Sequence, residues 1–545
     1  MIRKLTCQIL LLGLLALIAC LGPPAPDLGR VPIVRIGLMQ NVDEIYFQTS
    51  EKLSLRDPAR AGRLVAHNIE GQRWQVRIKQ VEPARIEYRL LVIATRDKNE
   101  ARAVLDSVVD AGLLPAMIEE RPDYDRLWIA QNATTVYKVV LREKFTTRDT
   151  AIAKQKALAG KIQTELWERI KKPARGVLEL KNQDNDKTYQ LASGFQVIAD
   201  QVALSNVAVG TGFHWEGSEN RVYRGRMEFF IDRFSKLTVV NVLPIEDYIA
   251  GVVPSEMHPG FPLEALKAQA VAARNEIFSK VGTRHTEDGF DLCADVHCQV
   301  YSGINKETES TKQAVAATAG LVMKVQGVII DANYAAVCGG HTENNENVWA
   351  GLSKPYLRGI FDGNARPDLL GNALKDENTL LRWVSTKPNV FCNTVQAEVP
   401  AALEYTKKYF RWEVNYTRSE LQAMIRKRTG EDFGELQDLV PLERGPSGRL
   451  IRLRVVGTKK IFELARELAI RQALAEKTLW SACIAIEKSG IDRNRLPAKF
   501  KIRGAGWGHG VGMCQTGAAM MALRGYNFEQ ILRHYYTGVK LDKEY

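Results

Sequence analysis

The stretch LPIEDYIAGVVPSEMHPGFPLEALKAQAVAARNEIFSK, residues 243–280, decides how the centre of this chain folds. An apolar segment leads into a run of strong helix formers, and Pro262 stands where the first turn of a helix tolerates proline. The pattern predicts a helix over 262–280. It places one carboxylate, Glu256, in a turn just before that helix.

The surroundings of Glu256 favour an acid with a raised pKa. The side chains next to it in the sequence are apolar: Val253, Met257 and Phe261. A carboxyl group in apolar surroundings is costly to ionise, so its pKa rises toward the value that a general acid needs at neutral pH. The alternative is a surface glutamate that caps the helix.

A second group of reactive side chains follows about forty residues later. Two imidazoles and two thiols lie within fourteen residues: His285, Cys293, His297 and Cys298. They form the ligand set of a closed, structural zinc site, because four protein ligands leave no position open for water. Such a site would hold the loop that carries Gln299 and Tyr301 near Glu256. The alternative is a disulfide, either Cys293–Cys298 or a longer-range bond.

Three glycine-containing motifs follow along the chain. They are AVCGGHTEN (336–344), PYLRGIFD (355–362) and GAGWGHGVGMCQTGAAMMALRGYNFEQILRHYYTG (504–538). Glycines let the backbone approach a sugar closely. The GWGHGVG run looks like a nucleotide loop, but its sequence context is not that of a dinucleotide fingerprint, so we predict no nucleotide binding.

Together these motifs resemble the SpoIID/LytB family of peptidoglycan-acting proteins, weakly over residues 31–80 and well over 176–540. The resemblance implies that Glu256 is catalytic. It also implies zinc in some members, held through two His and two Cys of the loop described above. Candidate substrate-binding residues carried by these segments are Gln299, Tyr301, Gly340, His341, Thr342, His509 and Gln515.

The activity that the resemblance implies is lytic transglycosylation of glycan strands without stem peptides. Ordinary glycosidases use two carboxylates, and the sequence offers no obvious partner for Glu256. One acid suffices when the muramyl C6 hydroxyl of the substrate attacks and leaves a 1,6-anhydro end. The alternative is a LytB-like protein that binds the cell wall and modulates an amidase without needing Glu256. A zinc amidase ranks last, because the cluster shows no open ligand position.

The N-terminus predicts export and a lipid anchor. Arg3 and Lys4 precede an apolar run over 9–19, which is too short to span a bilayer. The sequence Leu-Ile-Ala-Cys ending at Cys20 looks like a lipobox, so residues 1–19 would be a signal peptide and 20–30 a tether. Ordinary cleavage that discards Cys20 is the alternative. We expect a location in the cell envelope, facing the periplasm, with the outer membrane as the anchor in a two-membrane cell.

Charge and cysteine content narrow the partners. The formal charge is +12, and loss of Arg3 and Lys4 leaves +10. A basic exported protein suits an acidic polymer such as peptidoglycan, and no nucleic-acid-binding motif is present. Six of the eight cysteines follow position 20, and sequence alone does not fix their pairing.

The chain is too long for one hydrophobic core, so we predict a multi-domain α+β protein with a β-rich core. Sequence patterns also predict helices over 147–166, 310–319 and 459–474 and strands over 320–337. The predicted units are N-terminal strands, a small α/β insertion, a SpoIID-type catalytic core, an accessory α/β segment and a final loop and helix: 31–85, 86–172, 176–390, 391–500 and 501–545. The insertion contains two strand–helix patterns offset by 49 residues and resembles a SPOR domain, a family that binds glycan strands lacking stem peptides. A structural insertion without a binding role is the alternative.

Overall fold

The computed structural model describes residues 31–545 apart from 51, 58–62, 121–134, 159–160, 214, 350, 365–372 and 494–495. The predicted signal peptide, Cys20 and the tether lie outside the described residues.

The described strands are numbered in chain order: β1 Ile33–Val42, β2 Glu44–Thr49, β3 Leu53–Asp57, β4 Arg63–Ile69, β5 Arg73–Glu82, β6 Arg85–Thr95, β7 Pro115–Glu120, β8 Val136–Leu141, β9 Glu165–Lys172, β10 Arg175–Asn182, β11 Thr188–Ala192, β12 Gly194–Val209, β13 Gly217–Ile231, β14 Leu237–Pro244, β15 Leu292–Cys293, β16 Leu321–Val325, β17 Val328–Ile329, β18 Tyr334–Ala335, β19 Arg411–Thr417, β20 Leu436–Arg444, β21 Leu450–Gly457, β22 Ile461–Ala465, β23 Ile484–Ile491, β24 Pro497–Ala505, β25 Met513–Cys514 and β26 Lys540–Lys543.

The described α-helices are α1 Lys98–Asp110, α2 Arg148–Leu158, α3 Ile245–Glu256, α4 Leu263–Lys280, α5 Glu309–Ala317, α6 Asn345–Val348, α7 Glu377–Val384, α8 Ala401–Glu404, α9 Lys407–Phe410, α10 Arg418–Thr429, α11 Glu467–Ala473, α12 Gln515–Leu523 and α13 Phe528–Tyr535. A short 3-10 helix covers Ala373–Lys375.

An eleven-stranded sheet forms the base of the molecule, with the path β11-β10-β5-β2-β12-β13-β14-β1-β15 and with β3 and β4 attached through β12. It combines strands from both sides of the insertion. Strand β14 is buried at nearly every position because β1 and β13 flank it and helices cover the sheet. Its last residue leads directly into α3, the helix that ends at Glu256.

The insertion is spliced between two neighbouring strands of this sheet. β5 and β10 pair antiparallel, with Glu82 opposite Arg175, and the intervening chain forms its own β7-β8-β6-β9 sheet with α1 and α2. This is a split βαβ arrangement with a separate hydrophobic core. The predicted strand–helix echo is present, but the second predicted helix, over 147–166, ends earlier, and its final residues begin β9.

The helical layer centres on α4, which is buried along almost its whole length. Such a helix has no polar face, and α3, α5, α12 and α13 pack around it within one hydrophobic core. The predicted helices over 262–280 and 310–319 are confirmed as α4 and α5. The strand content predicted for 320–337 is confined to three short strands.

The accessory segment has a hydrophobic core of its own beneath two three-stranded sheets, β19-β24-β23 and β20-β21-β22. A continuous helix predicted over 459–474 is wrong. The chain forms β22 first, turns at Arg466 with a positive φ of 75°, and only then begins α11. Residues 461–465 pair with 452–456 of β21, and this pairing overrides the helix-forming composition.

The α+β class and strand-rich character predicted from sequence are confirmed. Three separate hydrophobic cores agree with several units in the chain, although the domain boundaries themselves stay predictions. Within the described ranges, every helix is too short or too polar to cross a bilayer.

Candidate functional site

Glu256 is the last residue of α3, not a member of a free turn as expected. Pro254 lacks an N–H but lies so close to the end of the helix that the last turn persists, and Met257 then leaves in an extended conformation. Helix α4 begins after Pro262, which acts as the N-cap residue. The carboxylate therefore projects from a rigid helix end between two packed helices.

The Glu256 carboxyl group sits in a desolvated position. The residue is partly exposed, and its Oε1 accepts a hydrogen bond of 2.6 Å from the Val300 N–H. Burial raises the pKa of Glu256 to about 7, although the Val300 N–H and the Lys280 ammonium act in the opposite direction. The group is thus partly protonated at neutral pH, which is the state that proton donation requires.

Two neighbouring acids, Glu276 and Asp295, add to the rise in the pKa of Glu256 through charge repulsion. Both are already engaged. Glu276 accepts a 2.8 Å hydrogen bond from Ala332 N–H and pairs with Lys280. Asp295 accepts hydrogen bonds from the N–H groups of Gly210 (3.0 Å) and Thr211 (3.1 Å).

The predicted zinc ligands converge as a cluster, here called the loop cluster: His285, Cys293, His297 and Cys298. Their ligand atoms all lie within 4.8 Å of one another. The His285 Nε2 lies 3.3 Å from the Cys298 Sγ and 3.2 Å from the His297 Nδ1. Hydrogen bonds from Cys293 and His285 lower the pKa of the Cys298 thiol.

A second layer orients this cluster. The Nδ1 of His285 lies 2.7 Å from a carboxylate oxygen of Asp288, which leaves Nε2 directed at the thiols. Histidine ligands of metals have such carboxylate partners. The donor types and separations fit a tetrahedral Cys2His2 zinc site, and Cys298 lies two residues before the N–H that holds Glu256.

Gln299 and Tyr301 lie inside the protein. Each is 1% exposed. The Gln299 amide donates to Ala273 O (3.4 Å) and accepts from the Tyr334 hydroxyl (3.0 Å), while the Tyr301 hydroxyl donates to Asn241 (2.9 Å). These contacts fix the loop on both sides of Val300. Positioning of that loop accounts for both residues better than direct contact with a ligand does.

The motif around Gly340 is also interior. Gly340 has a positive φ of 104°, and a Cβ there would lie 2.7 Å from Trp383. His341 and Thr342 are buried. His341 Nδ1 donates to Thr342 O (2.8 Å), and the Thr342 hydroxyl accepts from Ile360 N–H (2.8 Å). As substrate contacts, all three stay predictions.

The C-terminal segment carries two further predicted site residues, Gln515 and His509, and Gln515 contacts Glu256. The Gln515 amide donates to the backbone oxygen of Glu256 (2.9 Å) and to the Gln269 side chain (3.1 Å). His509 is partly exposed and packs against Trp349, with ring centroids 4.8 Å apart and ring planes tilted by 59°. Burial and nearby arginines lower the pKa of His509 to about 3, so it acts as a neutral hydrogen-bonding group.

A cavity of about 350 Å³ lies elsewhere, lined by residues such as Ile170, Phe234 and Glu287, and Glu256 is not among its lining residues. Glu256 itself is partly exposed at the protein surface.

Two segments of the chain match known protein families. The family described as "Stage II sporulation protein" matches residues 233–324, which contain Glu256 and the whole loop cluster. A family described as a domain of unknown function matches 343–512. An uncharacterized protein of Brachyspira hyodysenteriae is 31% identical over 334 residues, covering 61% of this chain and 74% of that protein. The chain belongs to the SpoIID/LytB family.

Two relatives with descriptive names agree with this assignment. Stage II sporulation protein D of Bacillus amyloliquefaciens is 27% identical over 60% of this chain and 82% of its own length. The amidase enhancer of Bacillus subtilis is 26% identical. The match covers 79% of this chain and 59% of the amidase enhancer. A role connected with the cell wall is thereby supported for this SpoIID/LytB member.

Sequence reasoning missed the residues that join the family motifs in space. Arg449 is 1% exposed and donates hydrogen bonds to the backbone oxygens of Cys338 (3.1 Å) and His341 (3.4 Å). It thus ties the accessory segment to a SpoIID/LytB motif more than a hundred residues away. The Val300 N–H was missed as well, because a backbone donor leaves no signature in the sequence.

Proposed function

We propose that this protein is a lytic transglycosylase that cleaves MurNAc–GlcNAc linkages in peptide-stripped peptidoglycan strands. The observation that carries the proposal is the half-buried carboxyl of Glu256, whose pKa of about 7 suits a general acid that later acts as a base. Its place within the segment that matches the Stage II sporulation protein family supports the same role.

The proton path follows from the two carboxyl oxygens. Oε1 accepts the Val300 N–H, so Oε2 is the oxygen that carries the proton. Glu256 donates that proton to the glycosidic oxygen as the C1–O bond breaks and positive charge develops at C1. The muramyl C6 hydroxyl then attacks C1, and its proton returns to Glu256. The Val300 N–H stabilises the carboxylate present between these two transfers.

The state of the neighbouring acids supports an internal nucleophile. Glu276 and Asp295 are held by backbone N–H groups, and Glu276 also by Lys280, so neither is free to activate water or attack C1. A hydrolase of the usual kind needs that second carboxylate. The C6 hydroxyl of the substrate replaces it.

We further propose that the loop cluster holds a structural zinc ion. Its two thiols and two imidazoles are at separations that fit the ion. Zinc would supply no chemistry to the sugar and would fix the loop that presents the Val300 N–H. We also propose export, a lipid anchor at Cys20 facing the periplasm, and glycan binding by the SPOR-like insertion.

The test uses purified protein and peptide-stripped glycan strands, with products identified by mass spectrometry. Wild-type protein should release fragments with 1,6-anhydro ends, and the Glu256→Gln variant should not. Glu276→Gln is the matched control and should still release fragments with 1,6-anhydro ends. Hydrolysed, non-anhydro ends from the wild type, or equal yields from Glu256→Gln, would contradict the proposal.

The second candidate is a non-catalytic modulator of a cell-wall amidase. The relative named amidase enhancer favours it. This candidate predicts no cleavage by the protein alone and faster release of stem peptides when an N-acetylmuramoyl-L-alanine amidase is added. It also predicts that Glu256→Gln retains full enhancement, so the same variant separates the two functions.

A further inference from the structure

A second group of metal-binding side chains lies in the interior, outside the segment that matches the Stage II sporulation protein family. Its members come from four separate segments and are at most 2% exposed: Cys338, Asp362, Cys392 and Cys514. We call these the buried cluster. We propose that the buried cluster binds a structural zinc ion. This proposal rests neither on zinc in the loop cluster nor on the lytic activity.

The separations match the edges of a zinc tetrahedron. Zinc–sulfur bonds of about 2.3 Å and zinc–oxygen bonds of about 2.0 Å place tetrahedral ligands roughly 3.5–3.8 Å apart. The Cys338 and Cys392 sulfurs are 3.6 Å apart, and the Cys338 sulfur lies 3.3 Å from the Asp362 Oδ2. All four ligand atoms lie within 4.8 Å of one another.

The carboxylate of Asp362 is prepared for this role. Its Oδ1 accepts a 2.7 Å hydrogen bond from the Tyr535 hydroxyl, and its Oδ2 accepts one of 2.9 Å from Cys392 N–H. These bonds turn Oδ2 toward the thiols. A Cβ at Gly517 would lie 2.1 Å from the Tyr535 oxygen and 2.8 Å from Oδ1, so the absence of a side chain there keeps the arrangement possible.

Backbone N–H groups are directed at the sulfurs. Cys514 is the N-cap of α12, and its sulfur accepts from Gly517 N–H (3.3 Å) and Cys338 N–H (3.2 Å). The Cys338 sulfur accepts from Gly340 N–H (3.4 Å). Such bonds favour thiolates, the form in which cysteine binds zinc.

Burial of these side chains favours a bound cation. A buried carboxylate beside three thiols is costly unless it is paired or coordinates a metal. The Arg411 guanidinium attracts Cys338 and Cys392, but its Nη1 donates to backbone oxygens, including that of Gly339 (3.0 Å). It offsets part of the charge of a zinc–thiolate centre from outside. Three sulfurs and one oxygen select zinc over the hard cations calcium and magnesium.

The ion would fasten the tail to the core next to the acid. Cys514 directly precedes Gln515, whose amide donates to the backbone oxygen of Glu256. Strand β25, which ends at Cys514, pairs in parallel with β18, which ends three residues before Cys338. The buried cluster thus fastens the segment that contacts the backbone of Glu256, while the loop cluster fastens the segment that presents the Val300 N–H. Four protein ligands make it a closed, structural centre.

The test measures zinc per chain by mass spectrometry of metals in the intact protein, loaded with zinc sulfate and passed over chelating resin. A Cys293→Ser/Cys298→Ser variant, which lacks the loop-cluster thiols, should retain one zinc. Adding Cys392→Ser should remove it. Adding Cys483→Ser instead is the matched control, because Cys483 is buried but outside the cluster, and zinc should remain.

A variant that fails to fold does not stop the test, because anomalous diffraction at the zinc edge locates ions in wild-type crystals. A peak among the four side chains supports the proposal. Absence of that peak, retention of zinc by the Cys392→Ser addition, or a Cys338–Cys392 disulfide in unreduced protein would overturn it.

Discussion

Two glutamates with desolvated carboxyl groups, Glu343 and Glu256, differ in how many hydrogen bonds those groups accept. Glu343 is 0% exposed and accepts from Asn344 N–H (2.9 Å), from the Asn347 amide (2.7 Å), and from the backbone and hydroxyl of Ser447. Among the residues that the structure describes, Glu256 accepts from Val300 N–H alone. Burial raises the pKa of both.

The difference separates a structural carboxylate from a reactive one. Both oxygens of Glu343 accept hydrogen bonds, Oε1 from Asn344 and Asn347 and Oε2 from Ser447 of the accessory segment, so neither is available to a substrate. Glu256 keeps one oxygen uncommitted and a partly exposed edge, at a cost in stability that its surroundings do not offset.

Glu256→Gln should lower the rate of glycan cleavage by about 10²–10⁴-fold, because it removes the proton donor and retains the acceptor for Val300 N–H. Steady-state release of fragments measures the effect. Glu343→Gln should change the rate by less than about tenfold. Equal losses in the two variants would erase the contrast.

Glu343→Ala should lower the free energy of unfolding by about 2–4 kcal/mol, because Ser447 and Asn347 lose their buried acceptor. Urea unfolding followed by circular dichroism measures it. Glu256→Ala is the paired control and should cost less. A larger loss for Glu256→Ala would mean that Glu256 is the structural residue.

Asp288→Asn should weaken zinc binding at the loop cluster by about 10–100-fold, because His285 loses the carboxylate that orients its ring. Competition with a chromogenic chelator measures the affinity. Glu287→Gln, whose carboxylate contacts the insertion through Trp167, is the matched control. Unchanged affinity in Asp288→Asn would show that the loop cluster does not hold the ion.

Glu256→Gln should also make the protein more stable at pH 8 by about 1–2 kcal/mol, with no gain at pH 4. The ordinary pKa of 4.5 applies to the unfolded chain and about 7 to the folded one. Wild-type stability therefore falls as pH rises between these values, because the unfolded state ionises first. Urea unfolding at both pH values tests this, and a gain at pH 4 as large as that at pH 8 would contradict it.

Local patterns were predictable from the sequence, and long-range convergence was not. The loop cluster was found because its four ligands lie within fourteen residues, and α4 because its helix formers follow Pro262. The buried cluster draws on positions from 338 to 514, and no spacing rule brings these together. The pairing of β25 with β18 brings Cys514 to Cys338, and backbone hydrogen bonds of Asp362 with Gly340 and Phe391 bring in the other two ligands.

The same limit explains why Glu256 was expected in a turn. Packing of α3 against the core keeps that helix intact as far as Glu256. Gln299 and Tyr301 stay predicted substrate contacts, and the sequence did not show that both side chains lie in the interior. Which way each side chain points depends on Tyr334 and Asn241, which are remote in sequence.

The proposed mechanism requires that the Glu256 carboxyl, with a pKa of about 7, stays partly protonated near neutral pH. Infrared difference spectroscopy of wild type against Glu256→Gln, recorded across a pH titration, observes that carboxyl directly. We predict a protonated carbonyl band, absent from the variant, that disappears with a midpoint at about pH 7. A band that disappears near the ordinary glutamate pKa of 4.5 would contradict the account.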